Sequence, residues 1–144
     1  MVTRIRHIEA TPDRVWDVLA DGWLYPLWVV GATAMQDVDD TWPDAGARLD
    51  HLSGSWPLAL KQRTTVLECD PGRRLVLEAS SRHLGASRIA TSLTPSRDGV
   101  DVRLERHLVR GIRKIVPEPV KRPLLNAWAD DCLLRLSFLA ERRR

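Results

Sequence analysis

No run of apolar residues in this chain approaches the ~18 that a membrane-spanning helix needs, and Met1-Val-Thr-Arg-Ile-Arg-His lacks the apolar stretch of a signal peptide. Both absences lead to the expectation of a soluble, cytoplasmic protein without a membrane span. Only two cysteines occur, Cys69 and Cys132, with no short metal or redox spacing, so reduced thiols and no structural disulfide are expected. No His/Cys/carboxylate cluster has ligand spacing either, which gives no reason to expect a metal or another cofactor. A Gly-x-Ser-x-Gly elbow, a Gly-rich phosphate loop, a dinucleotide fingerprint and His-Glu-x-x-His are all missing. Standard covalent hydrolysis, nucleotide chemistry and zinc proteolysis lose their usual sequence support with them. Lysine is scarce, with three residues against 19 arginines, and the net charge of +3 comes from cations dispersed among 19 acids. Such mixing does not point to nucleic acid. The only cationic run, Arg142-Arg143-Arg144, is either a frayed, solvated end or a contact for an anionic partner.

What the chain does contain is a core: 144 residues, 44% of them apolar, with no linker or internal repeat, fit one domain over 1–144. A first strand is expected within 3–10. Thr11 then serves as N-cap, Pro12 as the first helical residue and Asp13 as an acid at the positive end of a helix that stops at Asp21-Gly22. Tyr25-Pro26-Leu27-Trp28 leads into the second strand. Turn signals at Asp39-Asp40, 43–46, Gly54-Ser55, Asp70-Pro71-Gly72, Gly85 and 96–99 then separate strands expected near 29–38, 47–53, 58–69, 74–83, 87–95 and 100–109. From Pro117 to Arg144 the pattern turns helical. Leu125, Trp128, Cys132, Leu136 and Leu139 form one stripe, with Pro123 blurring its first turns. A helix of about 25 residues at ~1.5 Å each crosses a small domain, and only a strongly curved sheet could cover its stripe.

Several of these segments together resemble the START-like superfamily, also described as polyketide cyclase/dehydrase and lipid-transport proteins (SRPBCC-type). They are the opening strand, Pro-Asp-Arg-Val-Trp-Asp-Val-Leu-Ala at 12–20, Tyr-Pro-x-Trp at 25–28, Asp-Pro-Gly-Arg-Arg-Leu at 70–75, and the ending Leu-Arg-Leu-Ser-Phe-Leu-Ala-Glu-Arg-Arg. The resemblance covers nearly the whole chain. It implies an α+β helix-grip fold: a seven-stranded curved antiparallel sheet around the long C-terminal helix, one or two short helices after strand 1, and a deep cavity between sheet and helix. These motifs make the fold rather than the chemistry, so the resemblance identifies a cavity without its cargo.

Strand alternation proposes what faces that cavity. In the last strand Val100, Val102, Leu104 and Leu108 share a face that Arg106 interrupts. Either Arg106 points inward, where it needs a carboxylate, carbonyls, water or an anionic ligand group, or a bulge returns it to solvent. Along 74–83 the row Leu75, Leu77, Ala79, Ser81, His83 shrinks and grows polar, and the second strand thins through Val30, Ala32 and Ala34. Small residues opposite a helix leave space, unless Trp128 alone fills a narrow gap. His51 shares parity with Leu49, so His51 and His83 are either cavity-wall hydrogen-bonding groups or ordinary strand-end histidines. Trp28, at the head of the second strand, is the tryptophan best placed for the wall. Trp16 reads as core, and Trp23, Trp42 and Trp56 lie in or beside loops. The candidate ligand-binding set is thus Trp28, Val30, Ala32, His51, Ala79, Ser81, His83, Thr91, Leu104, Arg106, Leu125, Trp128 and Cys132, with no metal ligand and no assigned catalytic residue.

Three functions compete on this reading. The first is binding of a small hydrophobic molecule (lipid, polyketide or aromatic) in the cavity, the second a cyclase or dehydratase using cavity acid–base groups, and the third an interaction protein working through its surface. The sequence is silent on whether the chain is a monomer or a homodimer.

Overall fold

The computed structural model of the chain describes residues 2–54, 60–81, 85–111 and 117–142. Seven strands form one antiparallel sheet: β1 (Val2–Ile8), β2 (Ala32–Val38), β3 (Arg48–Ser53), β4 (Leu60–Asp70), β5 (Arg74–Ser81), β6 (Gly85–Ser96) and β7 (Gly99–Arg110). Their order across the sheet is β1-β7-β6-β5-β4-β3-β2, so the N-terminal strand pairs with the last one and every other pair is a sequential neighbour. Helix α1 (Pro12–Ala20), a turn of 3-10 helix (Gly22–Leu24) and helix α2 (Tyr25–Trp28) lie between β1 and β2, and α3 (Glu118–Arg142) follows the sheet. The sheet curves around α3, the helix-grip arrangement that the sequence implied.

The local chemistry behaves as read. The Thr11 side chain accepts from the Arg14 amide at 3.3 Å, Pro12 occupies the first turn, and the Asp21 amide closes α1 on the Val18 carbonyl. Between β6 and β7 it is Asp98, not a glycine, that takes the left-handed conformation, with φ 65°. A short polar side chain tolerates that geometry, and the hairpin needs it.

Two expectations fail near β2. The strand begins at Ala32 rather than at 29, because Tyr25–Trp28 is helical and Gly31, with φ 103°, turns the chain before pairing starts. Simple alternation then breaks, since register shifts occur between Ala32 and Ala34 and between Met35 and Asp37. Ala32 is consequently buried while Ala34 is exposed.

The buried face of α3 also differs in detail from the expected stripe. Cys132 and Leu136 are fully buried, but Leu125, Trp128 and Leu139 are only half-buried, and Ala129, Leu133, Ser137 and Ala140 complete the buried surface. Small residues at three of these positions let the helix approach β1, β7 and α1 closely. Among the described residues no helix is long and apolar enough to cross a membrane.

Candidate functional site

The core divides along the strands. Toward one end, Val100, Val102, Leu104, Leu75, Leu77, Leu49 and Val66 are all buried against the helices. Toward the other end the same rows run into Ala79, Ser87 and Arg106, and a cavity of about 270 Å³ opens there. Its wall takes Tyr25 from α2, Val29 to Ala32 from the chain entering β2, His51 and Ser53 from β3, and Gln62 from β4. Ala79 of β5, Ser87 and Ile89 of β6, Arg106 of β7 and Trp128 of α3 complete it.

Arg106 follows the parity of β7 and faces inward, without the bulge that would have returned it to solvent. It pairs with Val2 on one side and Ile89 on the other, and both neighbours are buried. Its guanidinium carbon lies 4.3 Å from the centre of the Trp128 ring. An aromatic face was not among the partners expected for it, yet it stabilises a half-buried cation by about 0.5–2 kcal/mol. Trp128 is fixed in turn, because its Nε1 donates to the Val30 carbonyl at 2.8 Å. The Val30 amide donates to Cys132 Sγ at 3.4 Å, so α3 holds the approach to β2 by two contacts. Burial pushes the Cys132 thiol up to about 12, which keeps it protonated and unreactive.

Opposite this pair is a polar chain. His51 is 1% exposed, and its Nε2 lies 3.2 Å from Thr64 Oγ1, which in turn lies 3.3 Å from the Tyr25 hydroxyl. His51 Nδ1 is 3.3 Å from the Leu52 carbonyl. The Tyr25 and His51 rings sit 5.0 Å apart, and Trp28 meets Tyr25 edge-on at 5.9 Å. Burial lowers the His51 pKa, opposed by the Leu52 carbonyl and by Asp50, so the ring stays neutral near pH 7. Burial likewise pushes the Tyr25 phenol up to about 12, outweighing the positive charge of Arg106, which favours the phenolate. Nearby, Ser53 Oγ donates to Gln62 Oε1 at 2.6 Å.

Six of the thirteen candidates line the cavity: Val30, Ala32, His51, Ala79, Arg106 and Trp128. Trp28, expected at the head of a strand, instead ends α2 and is packed in the core. Ser81, Thr91, Leu104 and Cys132 are buried without lining the cavity, and Leu125 is half-buried against the core. Leu104 is completely covered because the cavity begins one inward position further along β7, at Arg106. His83 and Trp56 lie outside the described residues. The sequence reading missed Tyr25, Gln62 and Ser87. Gln62 shares strand parity with Thr64, a signal that was present. Tyr25 enters from a four-residue helix that strand parity does not govern. Among the described residues no group of three or more His, Cys, Asp or Glu side chains could hold a metal ion.

The protein belongs to the polyketide cyclase/dehydrase and lipid transport family, whose sequence profile matches residues 1–137. None of the curated proteins compared with the sequence matches it. Similar solved structures include a Rhodobacter sphaeroides protein, 18% identical, with a TM-score of 0.75 over 99% of this chain and 92% of that one. The Mesorhizobium loti protein MLL2253 is 20% identical, with a TM-score of 0.72 over 99% and 98% of the two chains. The di-domain ARO/CYC StfQ of the steffimycin biosynthetic pathway is 17% identical, with a TM-score of 0.75, and this chain covers 99% of itself but 50% of StfQ. At these identities the structural likeness establishes the fold.

Proposed function

We propose that this protein binds a small, mostly apolar molecule of one or two rings in the cavity between the sheet and α3. The observation that carries the reading is a void, kept open by small side chains such as Ala32, Ala79 and Ser87, on whose wall an inward guanidinium, an indole and a neutral histidine converge. A volume of about 270 Å³ falls just below the range of drug-sized ligand sites, roughly 300 to 1,000 Å³, and so suits a small ligand. The wall also bears six polar side chains, Tyr25, His51, Ser53, Gln62, Ser87 and Arg106. A long acyl chain would leave several of these without hydrogen bonds, whereas a ring with oxygen substituents can meet them. The surface alternative gains little from the outer sheet face, where Arg63 grips Asp50 at 2.8 and 3.2 Å and Arg88 and Arg103 lie beside Glu78 and Glu105. Native mass spectrometry and thermal melts across lipid, polyketide and aromatic libraries test the proposal. One- and two-ring aromatics should raise the melting temperature in a saturable way, and silence from every library would end it.

A second reading, acid–base catalysis on a carbonyl-rich substrate, draws on the same His51. With Nδ1 at the Leu52 carbonyl and Nε2 at Thr64, the buried, neutral imidazole can take up a substrate proton only by relay through Tyr25 and Thr64, with the Arg106 cation available to a developing enolate. The family's cyclase and dehydrase members and the name of StfQ add to it. Incubation with a β-polyketone, followed by mass spectrometry for cyclised or dehydrated product, separates the readings. Product that disappears in His51→Gln supports catalysis, and unchanged substrate supports binding alone.

A further inference from the structure

The chain His51–Thr64–Tyr25 has only a few ways to place its hydrogens, and they are not equivalent. A carbonyl can only accept, so the contact between His51 Nδ1 and the Leu52 oxygen at 3.3 Å puts a hydrogen on Nδ1. A neutral imidazole then presents a bare lone pair at Nε2, 3.2 Å from Thr64 Oγ1. Thr64 is completely buried and has one hydrogen, with two acceptors in reach: His51 Nε2 and the Tyr25 oxygen 3.3 Å away. If Thr64 donates to Tyr25, Nε2 is left buried and unsatisfied, which is the expensive outcome for a hydrogen bond. If it donates to His51, the Tyr25 hydroxyl donates to Thr64 and all three groups are satisfied. The neutral state of the histidine thus fixes the direction of the whole chain. Its far end is a tyrosine oxygen that has used its hydrogen and has lone pairs left over, on a side chain that lines the cavity.

We propose that Tyr25 acts as a hydrogen-bond acceptor toward the ligand, with Thr64 as the residue that fixes this polarity, so the cavity selects a ring bearing both a hydroxyl donor for Tyr25 and a carboxylate or carbonyl for Arg106. This rests on the cavity-binding reading above and narrows its ligand class. Arg106 and Tyr25 line the same cavity of about 270 Å³, which sets one small ring system against both. Thr64 lies behind the wall and touches no ligand in this scheme, which makes it a positioning residue.

The test uses six probes, 2-, 3- and 4-hydroxybenzoate and the methyl ether of each, titrated by calorimetry into the protein. The best hydroxybenzoate isomer should bind about ten-fold more tightly than its ether, the value of one hydrogen bond plus the acceptor left bare without it. In Thr64→Val the Tyr25 hydrogen is free to turn toward the cavity, and the preference should fall to within about two-fold, while Thr64→Ser should restore it. Equal binding of hydroxyl and ether probes to the unaltered protein overturns the inference and leaves cavity binding intact. A preference that survives in Thr64→Val reports crowding by the methyl group and also overturns it. No binding of any probe at millimolar concentration overturns both the inference and the reading on which it rests.

Discussion

The two ends of the inner sheet face are built from the same strands and do opposite things. On β5 the inward row runs Leu75, Leu77, Ala79, and on β7 it runs Val100, Val102, Leu104, Arg106. Pairing sets these rows side by side: Leu77 opposes Ile89, Ala79 opposes Ser87, and Ile89 in turn opposes Arg106. At the first end large aliphatic side chains meet α1 and α3 and leave no room. At the second the side chains shrink on β5 and β6 while α3 still presents Trp128, so the gap stays open. The change occurs within two residues along each strand. On the proposed reading, a fold of this kind separates stability from binding by position along shared strands rather than by giving them separate elements.

That separation is breakable, and the largest effect should come from the packed end. Leu104→Ala removes a side chain that is 0% exposed and should destabilise the protein by about 2–5 kcal/mol, read from urea denaturation, while the affinity of the folded protein for a cavity ligand changes little. If Leu104→Ala instead weakens binding as strongly as folding, the two ends are coupled. Ala79→Leu probes the other end. It adds apolar volume to a cavity of about 270 Å³, so stability should move by less than ~1.5 kcal/mol, whereas binding of any ring-sized ligand should fall by more than about ten-fold.

Much of this contrast was legible before any coordinates. Alternation placed Ala79 and Arg106 on the inner face because β5 and β7 are regular where those residues sit, and a period of two then decides facing without ambiguity. Turn chemistry found the hairpins for the same local reason. Alternation failed at β2, where two register shifts put Ala34 outside although it shares parity with Ala32. Trp28 and Tyr25 were misjudged or missed because a four-residue helix has too few positions to show a period, and its orientation is set by what it packs on. Cavity depth was not legible either. Thr91, Leu104 and Cys132 have the right parity or stripe, but where packing ends and space begins depends on helix-to-sheet distance, which no strand pattern encodes.

Arg106→Leu sharpens the comparison by making the open end resemble the packed one. The change removes a half-buried charge together with its contact to Trp128, two contributions of opposite sign and similar size, so stability should shift by no more than about 1 kcal/mol in either direction. Affinity for a carboxylate-bearing ligand should fall by roughly ten-fold or more, with a smaller loss for the corresponding uncharged ring. Equal losses for the two would show that Arg106 shapes the wall without reading charge.

The smallest effect concerns His51, and its sign follows from burial. Its pKa in the folded protein is depressed, mainly by loss of water around the charged form, whereas in the unfolded chain it titrates near the ordinary value of about 6.5. Between those two values the unfolded chain binds a proton that the folded protein refuses. Stability is therefore full above about pH 6.5, declines as the pH falls through the unfolded value, and stops declining from this cause once the pH drops below the folded value. Urea midpoints measured at intervals from pH 7.5 to pH 5 should show that decline in the native sequence and a flatter profile in His51→Gln, the other histidines being common to both. Parallel profiles would mean that His51 titrates normally in the folded protein. The imidazole would then be wet, and the open end of the sheet would be more solvated than the packing around Tyr25 and Thr64 implies.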